Sequence, residues 1–156
     1  MFDLASGLIA LGAISGLAVA AWLVSVKKRD VSIIDGLWPV FIWVGGLVYA
    51  WTAPLMPRGW VAMTLLTIWA VRLCLHITVR NHGEPEDRRY QKIRASNQPG
   101  FEWKSLYLVF LLQAVLAWIV ALPLMATRSA SGFGLLDIAA IGLIGFGIVF
   151  EALADW

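Results

Sequence analysis

Arg72, His76 and Arg80 recur every four residues inside one apolar run, and Glu151 and Asp155 stand four apart near the end of another. A spacing of four puts side chains on one helix face, so the first run carries a basic stripe and the second an acidic one. Arg72 lies about seven residues from the end of its run, roughly 10 Å deep at 1.5 Å per residue. An ionisable group at that depth is costly unless it pairs, snorkels or meets water, and by default it marks a functional site. We expect the two faces to meet across a polar, water-accessible cavity opening to the cytoplasm, with Arg72, His76 and Glu151 as cavity residues. Plainer readings stay open at this point: a snorkelling Arg72, an interfacial His76, and a solvated helix end at Glu151–Asp155.

Other residues carry weaker signals. Asp30 and Asp35 sit in a short link, where Asp35-Gly36 would N-cap the following helix. Gln113 is placed to hydrogen-bond between helices, and Gly12/Gly16 and Gly142/Gly145/Gly147 to permit close helix contact. Those glycines lack the strand–turn–helix setting of a dinucleotide fingerprint. Two histidines and one cysteine give no metal-ligand spacing. Cys74 reads as a small buried side chain.

Membrane helices must position these groups. Apolar residues make up 60% of the chain and charged residues 14%, against about 45–50% and 25% in soluble domains. A span needs about 20 mostly apolar residues. Five stretches answer: residues 4–26, 37–55, 60–79, 105–126 and 137–155, an all-α polytopic bundle forming a single membrane domain over 1–156. The first is no cleavable signal peptide, because Asp3 precedes it and Lys27-Lys28-Arg29 follow it. With five alternating spans, one side receives Lys27, Lys28, Arg29, Arg80, Arg88, Arg89, Lys92, Arg94 and Lys104, and the other only Arg58 and Arg128. That asymmetry puts the N-terminus outside and residues 80–104 in the cytoplasm. The net charge of +2 then reflects topology and carries no implication of nucleic acid.

Outer links are short, with Met56-Pro57-Arg58-Gly59 read as a tight turn and Thr127–Leu136 as a plain loop. The inner link is long, charged in both signs and broken by Gly83, Pro85 and Asn97-Gln98-Pro99-Gly100. A short helix over Pro85–Arg94 is expected, with Glu86 and Asp87 at its N-terminal end, and Phe101 and Trp103 as interfacial anchors. The arginines of this link suit two roles equally on residues alone: forks for phosphate, or contacts to anionic headgroups.

Several segments together resemble the steroid 5-alpha-reductase-like family of membrane proteins, in particular its bacterial branch. They are Asp30-Val-Ser-Ile-Ile-Asp35-Gly-Leu-Trp38, Arg72-Leu-x-x-His76-Ile-x-x-Arg80-Asn81-x-Gly83, Glu86-Asp87-x-Arg89-Tyr90-x-x-x-Arg94, Ser105-Leu-x-x-Val-Phe-x-Leu-Gln113 and Gly147-x-x-Phe150-Glu151-x-x-Ala154-Asp155. The resemblance implies NADPH-dependent reduction of an activated carbon–carbon double bond in a lipid-like or steroid-like substrate, in a bacterial inner membrane. It also implies that Arg80, Asn81 and Arg94 lie near the phosphate-bearing side of the cofactor, that Asp155 contacts the cofactor, and that His76 faces the cavity. In that family another pair of helices normally follows, with an Arg-His-Pro-Asn-Tyr-type segment. The chain to Trp156 is accordingly expected to be a C-terminally truncated fragment. The carbonyl-polarising acid is not identifiable, nor is the glutamine–glutamate element of the eukaryotic steroid enzymes. Competing readings are an isoprenylcysteine-type methyltransferase using S-adenosylmethionine, and a non-enzymatic membrane scaffold or subunit.

Overall fold

The computed structural model describes residues 3–127 and 132–155; Arg128, Trp156 and the middle of the Thr127–Leu136 link lie outside the described residues. Five helices are long and apolar enough to cross a membrane, and among the described residues there is no strand. The all-α, five-span architecture is the one the sequence dictates. The spans are α1 (Leu4–Lys28), α2 (Ile33–Thr52), α3 (Pro57–Arg80), α5 (Phe101–Thr127) and α6 (Leu135–Ala154), with the short α4 (Arg88–Ser96) in the inner link.

Helix α2 is the hub, packed on α1, α3 and α5. Lipid is as apolar as a protein core, so the spans associate through close van der Waals packing, which favours small residues. Ala10, Ala18 and Ala21 line the buried face of α1, and Ala114, Ala117 and Ala121 that of α5. The closest approaches fall on α2. A Cβ at Gly45 would lie 2.9 Å from the Ala121 Cβ, and one at Gly46 would lie 2.9 Å from Leu66 and Met63 side-chain atoms. Gly12, Gly16, Gly142, Gly145 and Gly147 instead face open space, which corrects the expectation that they mediate helix contact. Gly45→Val is expected to cost about 1–3 kcal/mol through overpacking, read as a lowered thermal midpoint, while Gly12→Val leaves it unchanged. Equal effects would overturn the packing assignment.

Helix α5 contains one wide, π-helical turn over Leu106–Leu111. Its buried stripe runs Phe101, Ser105, Val109 and then, one residue on within the turn, Phe110, Ala114, Ala117, Ala121, Met125. The extra residue of a π-turn shifts the phase by one, so both halves keep an apolar face on α1 and α2. Gln113 follows this turn and makes no hydrogen bond among the described residues, contrary to its expected interhelical role. Trp118 Nε1–H donates to the Gly7 carbonyl (2.8 Å) and Trp22 Nε1–H to that of Glu102 (2.7 Å), so the half-buried and the buried indole are both satisfied.

Several boundaries differ from expectation. Helix α2 starts at Ile33, so Asp35 lies in its first turn and does not cap it. Pro57 is the first residue of α3, where a missing N–H costs nothing, so Arg58 and Gly59 are helical and not part of a turn. Helix α4 begins at Arg88, capped by the Asp87 carboxylate, which accepts the Arg89 N–H at 2.8 Å. Phe101 is fully buried and no interfacial anchor, whereas Trp103 is exposed as expected and meets Trp22 at 5.2 Å between ring centroids. Cys74 is half-buried.

Helix α6 stands apart. None of its described residues is buried, and its main contact is with α3.

Candidate functional site: an ion cluster between α3 and α6

The basic and acidic stripes do meet. Arg72 Nη1 donates to Asp155 Oδ2 at 2.6 Å, Arg72 Nη2 lies 2.6 Å from Glu151 Oε2, and His76 Nε2 lies 3.7 Å from Asp155 Oδ1. The Arg72–Glu151 contact is an ion pair without hydrogen-bond alignment, and Arg72 Nε is buried with no acceptor. Two carboxylates at the C-terminal end of α6 add to the negative end of its dipole, and a guanidinium set between them offsets both. The four side chains keep 20–36% of their exposure, and Arg72, His76, Ala152 and Asp155 line a cavity of about 390 Å³.

A second attachment holds the other end of α6. Arg58 Nη2 donates to Asp137 Oδ2 and to the Gly132 carbonyl, both at 2.8 Å, and the same Asp137 oxygen accepts the Gly134 N–H. The signal was present in the sequence: an acid opening an apolar run, opposite one of two outer arginines. Arg58 and Arg72 are fourteen residues apart, about 21 Å along a helix. Between the two attachments lies an apolar cleft of about 590 Å³, lined by Leu65, Leu66 and Trp69 of α3, Leu124 of α5, and Ile144 and Ile148 of α6, with Glu151 at its rim.

The remaining candidates are placed elsewhere. The segments Asp30–Asp35 and Glu86–Arg94 close on each other as one latch. Val31 N–H donates to Glu86 Oε1 (2.9 Å), Asp87 N–H to Ser32 Oγ (2.7 Å), Arg89 to Asp35 (2.9 Å) and the Tyr90 hydroxyl to Asp35 Oδ1 (2.6 Å). Arg94 forks onto Glu86 through Nε (2.9 Å) and Nη2 (2.8 Å), reaches the Arg29 carbonyl, and lies 4.6 Å over the Phe101 ring. That carbonyl is presented by Arg29 in the left-handed conformation, at φ 56°.

Electrostatics follow the pairing. Burial works against the charged form of Glu86, but the Arg94 fork and the Val31 N–H outweigh it and hold its carboxyl below the usual range. The Arg89 guanidinium does the same for Asp87. Burial, then the bond to Asp35, pushes the Tyr90 phenol up. Arg80 is exposed and its Nε donates to Asn81 Oδ1 at 3.3 Å, while Asn81 lines a separate cavity between α1, α2 and α3. The expected cofactor residues therefore fall in three places: Arg94 in the latch, Arg80 with Asn81 at the end of α3, and Asp155 in the ion cluster.

An all-helical, multi-pass integral membrane protein with an ion cluster set within its spans is what the fold and site define. The chain belongs to the family described as protein of unknown function (DUF1295), whose model matches residues 21–156. No curated protein and no solved structure matches it.

Proposed function

We propose that this protein is a membrane-embedded, NADPH-dependent oxidoreductase of a bacterial inner membrane, reducing an activated carbon–carbon double bond of a lipid-like substrate. The observation that carries this reading is the Arg72–Glu151–Asp155–His76 cluster at the inner end of an apolar cleft open to the hydrocarbon. Charges held within the bilayer beside an apolar space suit a substrate with a greasy body and one polar oxygen. The resemblance to steroid 5-alpha-reductase-like proteins supports the same chemistry.

A dinucleotide phosphate needs a guanidinium that no carboxylate already holds. Arg80 meets that condition, and Arg94, forked onto Glu86, does not. When bound, NADPH supplies the hydride. Arg80, oriented by the Asn81 side-chain oxygen, would bind phosphate one turn toward the cytoplasm from His76. Arg72, set between Glu151 and Asp155, offsets both carboxylates at the inner end of the cleft. His76, 3.7 Å from Asp155, lines the adjoining cavity with Arg72.

Titrating NADPH into the purified protein while following its fluorescence tests this reading. Saturable binding is expected, weakened about tenfold in Arg80→Gln, because a charge-assisted hydrogen bond contributes about 1.5 kcal/mol. S-adenosylmethionine protecting the protein from proteolysis, with NADPH inert, would instead establish the methyltransferase reading. Protection by neither leaves the scaffold or subunit role.

A further inference from the structure

The inner ends of α1, α2 and α3 enclose a second cavity, of about 480 Å³, that the ion cluster does not share. Its rim is polar and carries both signs: Lys28, Asp30, Asn81, His82 and Glu84. Its floor is apolar, formed by Val24, Ile33, Leu37 and Ile77. Backbone approach shapes it as well, since a Cβ at Gly36 would lie 3.0 Å from Thr78 Oγ1, and both residues line the space.

The charges here behave differently from those around them. Asp35, Glu86 and Asp87 are each taken by an arginine, as are Asp137, Glu151 and Asp155. Lys28, His82 and Glu84 line one space and form no ion pair, with each other or with any described residue, so their charges are open to a ligand. Asp30 accepts the Ser32 N–H at 2.8 Å and is likewise held by no arginine. The cavity sits at the end of the spans, at headgroup level, with its apolar floor toward the hydrocarbon.

We propose that this cavity binds one phospholipid with a zwitterionic, primary-ammonium headgroup, of the phosphatidylethanolamine type. Lys28 and His82 take the phosphate, with the Asn81 amide as a neutral donor. Glu84 and Asp30 take the ammonium, whose three N–H donors match two carboxylates. An acyl chain runs down the floor along Val24, Leu37 and Ile77. Both headgroup charges are needed to satisfy the rim: a phosphatidylglycerol offers no cation to Glu84, and a phosphatidylcholine offers a cation without N–H donors.

Native mass spectrometry of the protein released from nanodiscs tests this, with phosphatidylethanolamine, phosphatidylcholine and phosphatidylglycerol of identical acyl chains in equal amounts. One phosphatidylethanolamine is expected to remain bound about tenfold in excess over either competitor. Glu84→Gln removes the preference over phosphatidylcholine, and Lys28→Gln lowers retention of all three. Circular dichroism of both exposed-residue variants verifies that they are folded. Equal retention of the three lipids, or a preference untouched by both substitutions, would overturn the assignment. So would displacement of the lipid by NADPH, which would give the cavity to the dinucleotide and leave the reading of the α3–α6 cleft intact.

Discussion

Arg94→Ala is expected to destabilise the inner end of the bundle by about 3 kcal/mol, because breaking a buried pair leaves an uncompensated charge. Glu86 retains only 10% side-chain exposure and Arg94 24%, so neither is well screened by water. The substitution strands the Glu86 carboxylate, removes the cation over the Phe101 ring and frees the Arg29 carbonyl. Helix α4 is then held on the α1–α2 link only through Ser32 and Asp35, and trypsin should cut the inner link at Arg88 or Lys92 faster. Removing both charges in Glu86→Gln/Arg94→Met should restore much of the loss, since no charge is left without a partner.

The pH dependence has a fixed sign. The Glu86 carboxyl is depressed in the folded state, so its contribution is present above its ordinary value of about 4.5 and is lost as pH falls through the folded value. Wild type should therefore lose thermal stability on acidification below about pH 4.5 more steeply than the double variant. Identical acid profiles, or an Arg94→Ala midpoint equal to wild type, would refute the role given to the pair.

The second large effect lies at Arg72. Arg72→Met leaves Glu151 and Asp155 facing each other at the end of α6 with no cation between them. Their residual exposure of 36% and 27% admits screening by water, which keeps the energetic loss modest. The geometric consequence exceeds the energetic one. With no buried residue of its own, α6 is held chiefly at its two charged ends, and losing the inner one lets it swing from α3. Spin labels at Leu65→Cys and Gly147→Cys, in a Cys74→Ser background, should give a narrow distance distribution in the otherwise native protein and a broad one with Arg72→Met. Arg72→Lys should be intermediate, because an ammonium cannot span two carboxylates as a planar fork does. An unchanged distribution would show that α6 is fixed by something other than this cluster.

These two arginines mark how far the sequence could be read. For Arg72 the spacing sufficed: its depth in an apolar run demanded a partner, and an acidic pair at matching depth supplied one. For Arg94 the residues alone left phosphate and anionic headgroups equally open and only the family resemblance pointed to a cofactor phosphate, whereas its partner is Glu86, eight residues back on the same link. A charged residue in a loop carries no depth constraint, so its type alone leaves the partner open. The glycines show the same limit. Gly45-Gly46 and Gly12/Gly16 look alike as small residues in apolar runs, and only the first pair touches another helix. The wide turn in α5 left no visible mark either, because the six residues that form it, Leu106–Leu111, are all apolar or aromatic.

The amino-acid sequence by itself determined the class and the five spans, because hydrocarbon imposes span length and apolar composition locally, residue by residue. Only the tertiary structure decided which helix faces touch, which arginines are already neutralised, and that α6 is attached by its charged ends around an open cleft. Those outcomes depend on rotation and phase about each helix axis, and a uniformly apolar helix does not write its rotation into its composition.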